Sequence, residues 1–165
     1  MAGREALALN RRSLILSNRP DVETSDSRLS KPLTSNEKPV ITTRIFNAGK
    51  GKAIRLESRG WIHLAPKRVF PYPALASPPS IIDLGSGLNN ALQLALTLPF
   101  PLTVPMIADI ERGKQTLYVY GVSEYFDDTL ERPQKHTLHW CSFYDPSQPD
   151  KLALAACREH NGTAQ

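Results

Sequence analysis

Two cysteines near the C-terminus carry the side chains best suited to chemistry. Cys141 closes the run Lys135-His136-Thr137-Leu138-His139-Trp140-Cys141, and Cys157 opens Cys157-Arg158-Glu159-His160-Asn161. Two thiols with histidines beside them can form a disulfide, hold a metal, react, or sit inert in a core. A bridge closing a loop of about 15 residues contributes about 3 kcal/mol in the chain-entropy model. It would pin the last apolar segment, Leu152 to Cys157, to the body of the protein. Such bridges persist in oxidising compartments. The metal reading uses His139 and Cys141, which project from one face of a strand, with Cys157 and His160. That Cys2His2 set has the right donors for zinc, at a spacing unlike the common zinc motifs. Inert, reduced thiols in a cytoplasmic protein are the third reading. The bridge Cys141–Cys157 is carried forward as the expectation, and the other two stay open.

Other constellations read as structure. Glu124, Asp127 and Asp128 offer oxygen ligands for a hard cation, but their place at a polar turn explains them more simply. Gly85-Ser86-Gly87 lacks the Lys and the βαβ setting of a phosphate loop. His136, His139 and Ser142 have no Gly-x-Ser-x-Gly elbow to expose a nucleophile. Trp61 and Trp140 read as core anchors. Asn161-Gly162-Thr163 matches a glycosylation sequon at chance level. No catalytic residue and no cofactor is assigned.

The bulk composition bounds what must position these residues. The chain has 165 residues, 41% hydrophobic and 22% charged, which suits one soluble domain. Fourteen prolines disfavour long helices. A net charge of +4 is spread along the chain rather than gathered in a stripe, which argues against nucleic-acid binding. Ala6-Leu7-Ala8-Leu9 is too short for a signal peptide or a membrane span.

The elements read mostly as β. Residues 1–19 form a flexible N-terminal segment. Lys38 to Asn47 alternates, with Ile41, Thr43 and Ile45 on one face. Asn47 to Lys52 turns the chain. Ala53 to Ser58 follows, with Ile54 and Leu56 on one face; Gly60 breaks it, and Trp61 to Leu64 resumes. Ala65 to Pro79 is a proline-rich loop whose Phe70, Tyr72 and Leu75 offer an apolar contact surface. Ile81 to Leu84 is a short strand, and Asn90 to Leu98 is read as another. The best helix spans about 104–112, with Thr103 as N-cap, Pro105 in the first turn and Gly113 after its end. Gln115 to Tyr125 is apolar on both faces and so central. Lys135 to Tyr144 is its hairpin partner. The sum is a mainly β, immunoglobulin-like antiparallel β-sandwich of about seven strands with one short helix, spanning 20–161, then a tail at 162–165.

Three blocks carry a resemblance. They are Leu16-Ser17-Asn18-Arg19-Pro20-Asp21-Val22 with Phe46-Asn47-Ala48-Gly49-Lys50 and Ala53; Gly113-Lys114-Gln115-Thr116-Leu117-Tyr118-Val119-Tyr120-Gly121, continuing to Tyr125 and Asp127; and His136 to Cys141 with Cys157 to Asn161. From about Leu16 to Asn161 the chain resembles a family of uncharacterised small proteobacterial proteins. Members carry N-terminal membrane helices followed by an immunoglobulin-like extracytoplasmic domain. The chain departs at Asp21, where the family often has an aromatic residue, and in having no membrane helix. On this reading Met1 is an internal start or the chain is a piece of a longer protein. The resemblance implies a disulfide-compatible, non-enzymatic, envelope-associated sandwich tethered to the membrane through an upstream helix. Its partner would be an unknown protein, which it binds or scaffolds.

Overall fold

The computed structural model describes residues 7, 9–10, 13–14, 17–66, 78–127, 133–158 and 161–164. The expected contact residues Phe70, Tyr72 and Leu75, with Asp128 and His160, lie outside them. Beyond Pro20 the described residues form two antiparallel sheets and one short helix, the mainly β sandwich-like class expected from the sequence.

The first sheet is built around β3 (Val40–Asn47). Its odd residues Ile41, Thr43 and Ile45 are fully buried, as the alternation requires. One side of β3 pairs with β6 (Gly87–Thr97). The other pairs with an interrupted strand, β1 (Val22–Thr24) and β2 (Arg28–Leu29). Between those two pieces Ser27 turns inward and shares a 2.7 Å hydrogen bond with Thr43. β6 resolves the helix-or-strand ambiguity in its segment. Leu92, Leu94, Leu96 and Leu98 alternate inward, while Gln93, Ala95 and Thr97 are exposed.

The second sheet runs β5 (Ser80–Leu84), β4 (Ala53–Pro66), β7 (Gln115–Asp127) and β8 (Gln134–Phe143). Two short pieces, β9 (Ala155–Ala156) and β10 (Gly162–Ala164), cover the outer edge of β8. The strand segments therefore outnumber the seven expected. Residues 162–164, expected as a tail, are a strand of this sheet.

Two local readings of β4 are corrected. Arg55 has φ +48°, and the register with β7 shifts between Ile54 and Glu57. This bulge rotates the strand, so Ile54 lies opposite Phe126 on the outer side while Leu56 is buried. The Arg55 backbone N–H donates to Asp83 Oδ1 at 2.8 Å, which, with Lys52, holds the Asp83 carboxyl below its ordinary range. Gly60 does not break the strand. It pairs with Gly121, which pairs with Trp140, and the indole lies over both glycines. A Cβ on Gly121 would sit 2.1 Å from Trp140 Cζ2 and 2.2 Å from the Arg59 carbonyl oxygen. Glycine here makes room for the largest core side chain.

The core lies between the sheets. Trp140, Leu56, Ile62, Leu117, Val119 and Tyr125 meet Ile41, Ile45, Leu94 and Leu98 there. The Trp140 indole N–H donates to Ser123 Oγ at 3.3 Å, and Ser123 is 2.7 Å from Ser58 Oγ. The buried hydroxyls thus satisfy one another and the indole. One end is closed by α1 (Val104–Glu111). Met106 N–H donates to the Thr103 hydroxyl, Pro105 sits in the first turn, and Gly113 follows at φ +69°.

Candidate functional site

Cys141 and Cys157 are joined in a disulfide, with Cα atoms 5.4 Å apart. The pair lies within one sheet. Cys141 sits on β8, and Cys157 follows β9, where its N–H donates to the Cys141 carbonyl at 3.1 Å. The segment leading there crosses from one sheet to the other. Leu29 N–H donates to Leu152 O, and Leu154 N–H donates to Ser27 O, on the first sheet; Ala155 and Ala156 then pair with β8. The bridge therefore fixes the strap that closes the side of the sandwich.

Asn161 clamps the same point. Its carbonyl accepts from Cys141 N–H at 2.8 Å, and its amide donates to Cys141 O at 3.1 Å and Cys157 O at 2.7 Å. Both amide hydrogens are engaged, so a glycan on this nitrogen would break the clamp. The role of Asn161 was invisible in the sequence, because a side chain that bridges two backbones leaves no periodic signal.

The Cys2His2 reading is not assembled in this redox state. A sulfur in a disulfide is not a thiolate ligand. His139 is exposed on β8, and His160 lies outside the described residues. No group of three or more metal-ligating side chains occurs among the described residues.

The outer face of the second sheet carries aromatics beside the bridge. The cross-strand row Trp61, Tyr120, Cys141 leads to Cys157, and the next row holds His63, Tyr118 and Phe143. Trp61 stacks on Tyr120 with centroids 5.9 Å apart, and Tyr118 meets Phe143 at 6.2 Å. Trp61 is thus a half-buried outward residue, whereas Trp140 is the core anchor. Tyr120 is buried although it points outward, and burial pushes its phenol up to about 12. The period-two pattern of β7 held the signal for this row. Farther along the face, a shallow groove is lined by Arg55, Glu57, Glu124, Phe126 and Lys135. Its charges neutralise one another, Arg55 with Glu57 at 2.9 Å and Lys135 with Glu124 at 2.8 Å. Glu124 is therefore committed to a lysine rather than to a cation shared with Asp127.

A buried polar cluster lies at the end of β7. The Asp127 carboxylate is fully buried, 3.4 Å from Arg19 Nε and 3.8 Å from His136 Nε2. His136 stacks on Tyr125 at 5.2 Å, and burial raises the Tyr125 phenol. Arg19 reaches this site because Asn47 holds its segment. The buried Asn47 amide accepts from Asp21 N–H and Gly49 N–H and donates to Gly51 O and Leu84 O. A Cβ on Gly49 would meet Arg19 O at 2.3 Å, and one on Gly51 would meet Asn18 O at 2.2 Å. The Asn-Arg-Pro and Asn-Ala-Gly-Lys-Gly blocks are thus two halves of one clamp. Residues 18 and 19, expected as flexible linker, belong to the body.

Gly85-Ser86-Gly87 is the turn between β5 and β6, and Ser142 is a strand residue of β8. No helix among the described residues is long and apolar enough to cross a membrane. Comparison with protein-family models, with curated proteins and with solved structures finds no match to this chain.

Proposed function

We propose that this chain is a non-enzymatic, envelope-associated domain that binds or scaffolds another protein outside the cytoplasm. The observation that carries the reading is the Cys141–Cys157 bridge, because structural disulfides persist mainly in oxidising compartments. The bridge staples the closing strap of the sandwich and is locked by Asn161, so it is part of the architecture. The immunoglobulin-like arrangement is part of the proposal. It is supported by two antiparallel sheets packed about a central tryptophan. Such a fold has no built-in active site, so function resides on its faces and loops. The half-buried outward aromatics Trp61, Tyr118 and Phe143, packed around the buried Tyr120, supply the aromatic surface that protein contacts favour. Membrane attachment through an upstream helix is the part of the proposal that rests on the resemblance of the three sequence blocks alone.

Protease accessibility tests the placement. In spheroplasts of the native cell, added protease should degrade the protein while a cytoplasmic marker survives. Protection alongside that marker would contradict the reading.

A further inference from the structure

A sandwich of two open sheets has edges, and an exposed edge is a template for another strand. Three edges here are guarded by recognisable devices. The β1/β2 edge is broken at Ser25–Ser27 and covered by Leu152–Leu154. The β8 edge is covered by β9 and β10 and stapled by the disulfide. The β5 edge is five residues long and carries Asp83, paired with Lys52 at 3.0 Å. Among the described residues the β6 edge has none of these. β6 is eleven residues long, with no proline, and its only irregularity lies at the Gly87 end. No charged residue occurs from Leu84 to Ala108. Among the described residues β6 pairs only with β3.

The hydrogen-bond phase identifies the groups at that edge. Leu98 N–H donates to Pro39 O, so Leu98, Leu96, Leu94 and Leu92 direct their backbone groups at β3. Ala91, Gln93, Ala95 and Thr97 therefore direct theirs away from β3. Their side chains point to the outer face and are small or neutral.

We propose that this edge is a self-association site, where β6 strands of two copies pair antiparallel about a two-fold axis at Leu94. In that register Ala91 of one copy faces Thr97 of the other, and Gln93 faces Ala95. Each such pair exchanges both backbone hydrogen bonds, and the two first sheets become one. Two observations favour a second copy over a foreign strand. First, strand-adding peptides are read by pockets or charges for alternate side chains, and this row of small neutral groups offers neither. An identical uncharged strand meets it without like-charge repulsion. Second, Leu88 and Phe100, 63% and 40% exposed, lie at opposite ends of the strand, and an antiparallel two-fold sets the Leu88 end of each copy beside the Phe100 end of the other. A two-fold pairing consumes the unguarded edge and closes at a dimer, without propagating into a fibre. The inference goes beyond the envelope reading and does not rest on it.

The test is the mass in solution by sedimentation, for the full chain and two edge variants. The unmodified chain should run as a dimer at micromolar concentration. Ala95→Pro removes an outward N–H while sparing the ladder to β3, and Gln93→Lys with Ala95→Lys sets four lysines across the two-fold. Either should weaken dimerisation at least about tenfold, which is about 1.4 kcal/mol. The lysine changes are on exposed positions, so circular dichroism should be unchanged. A monomeric unmodified chain, or a dimer that survives both variants, overturns the proposal.

Discussion

The contact between Gly121 and Trp140 makes a quantitative prediction about the core. Gly121→Ala adds one methyl group 2.1 Å from Trp140 Cζ2, 2.5 Å from Cε2 and 2.2 Å from the Arg59 carbonyl oxygen. Contacts near 3.5–4 Å are the favourable range for such atoms. The indole cannot swing aside cheaply, because it is 2% exposed and donates to Ser123. The Arg59 carbonyl belongs to the adjacent strand and moves only with it. Overpacking usually costs about 1–3 kcal/mol, and a double clash with backbone and a locked ring belongs at or above the top of that range. Gly60→Ala is the internal control. The three atoms nearest its Cβ all belong to side chains, Trp140 Cη2 at 2.7 Å, Leu96 Cδ1 at 2.8 Å and Trp140 Cζ2 at 3.1 Å, and the leucine can rotate. It should cost about 1–2 kcal/mol. For a chain of this length a loss of about 3 kcal/mol lowers the thermal midpoint by about 6–12 °C. Urea unfolding followed by tryptophan fluorescence and circular dichroism measures both variants. Trp140→Phe should partly rescue Gly121→Ala and leave a positive coupling in the double-mutant cycle. Equal midpoints for Gly121→Ala and the parent, or a larger loss for Gly60→Ala, would refute the packing argument.

Asn47→Ala should cost about 3 kcal/mol in the same assay, because it orphans Asp21 N–H, Gly49 N–H, Gly51 O and Leu84 O together; a loss under about 0.5 kcal/mol would show the clamp to be idle. Replacing Cys141 and Cys157 by serine should lower stability by about 3 kcal/mol, and an unchanged urea midpoint would remove the bridge from the architecture. Tyr120 and Tyr144 have phenols raised to about 12, both mainly by burial. Their neutral forms are favoured on folding, so this stabilisation is present below the ordinary value of 10 and is lost as pH rises from about 10 to 12. Absorbance near 295 nm should show a delayed step accompanied by unfolding; complete tyrosine ionisation by about pH 11 with the fold intact would contradict it.

The strands easiest to read were those whose two faces meet different surroundings. Ile41, Thr43 and Ile45 face the core from β3 while Arg44 faces solvent, so period two stood out. The helix was legible because Thr103, Pro105 and Gly113 act locally. The bulge at Arg55 was hidden, since its cause is Asp83 on a neighbouring strand. Gly60 read as a breaker because its purpose, room for Trp140, comes from a residue far along the chain. The outward aromatic row was present in β7, yet only register joins Tyr120 to Trp61 and to Cys141. The cysteines were singled out by type and spacing, but the bridge lies along one sheet edge and takes its lock from Asn161. The Arg19, Asp127 and His136 cluster depends on three distant segments and had no local signature.

The most direct test of the proposed role is the redox state of Cys141 and Cys157 in the native cell. Cells are quenched in acid, free thiols are alkylated, and the intact mass is read before and after reduction. An extracytoplasmic, bridged domain should take up no label until reduced, and then two labels per chain. Two labels without reduction, in freshly quenched cells, would place the protein in a reducing compartment and contradict the proposal.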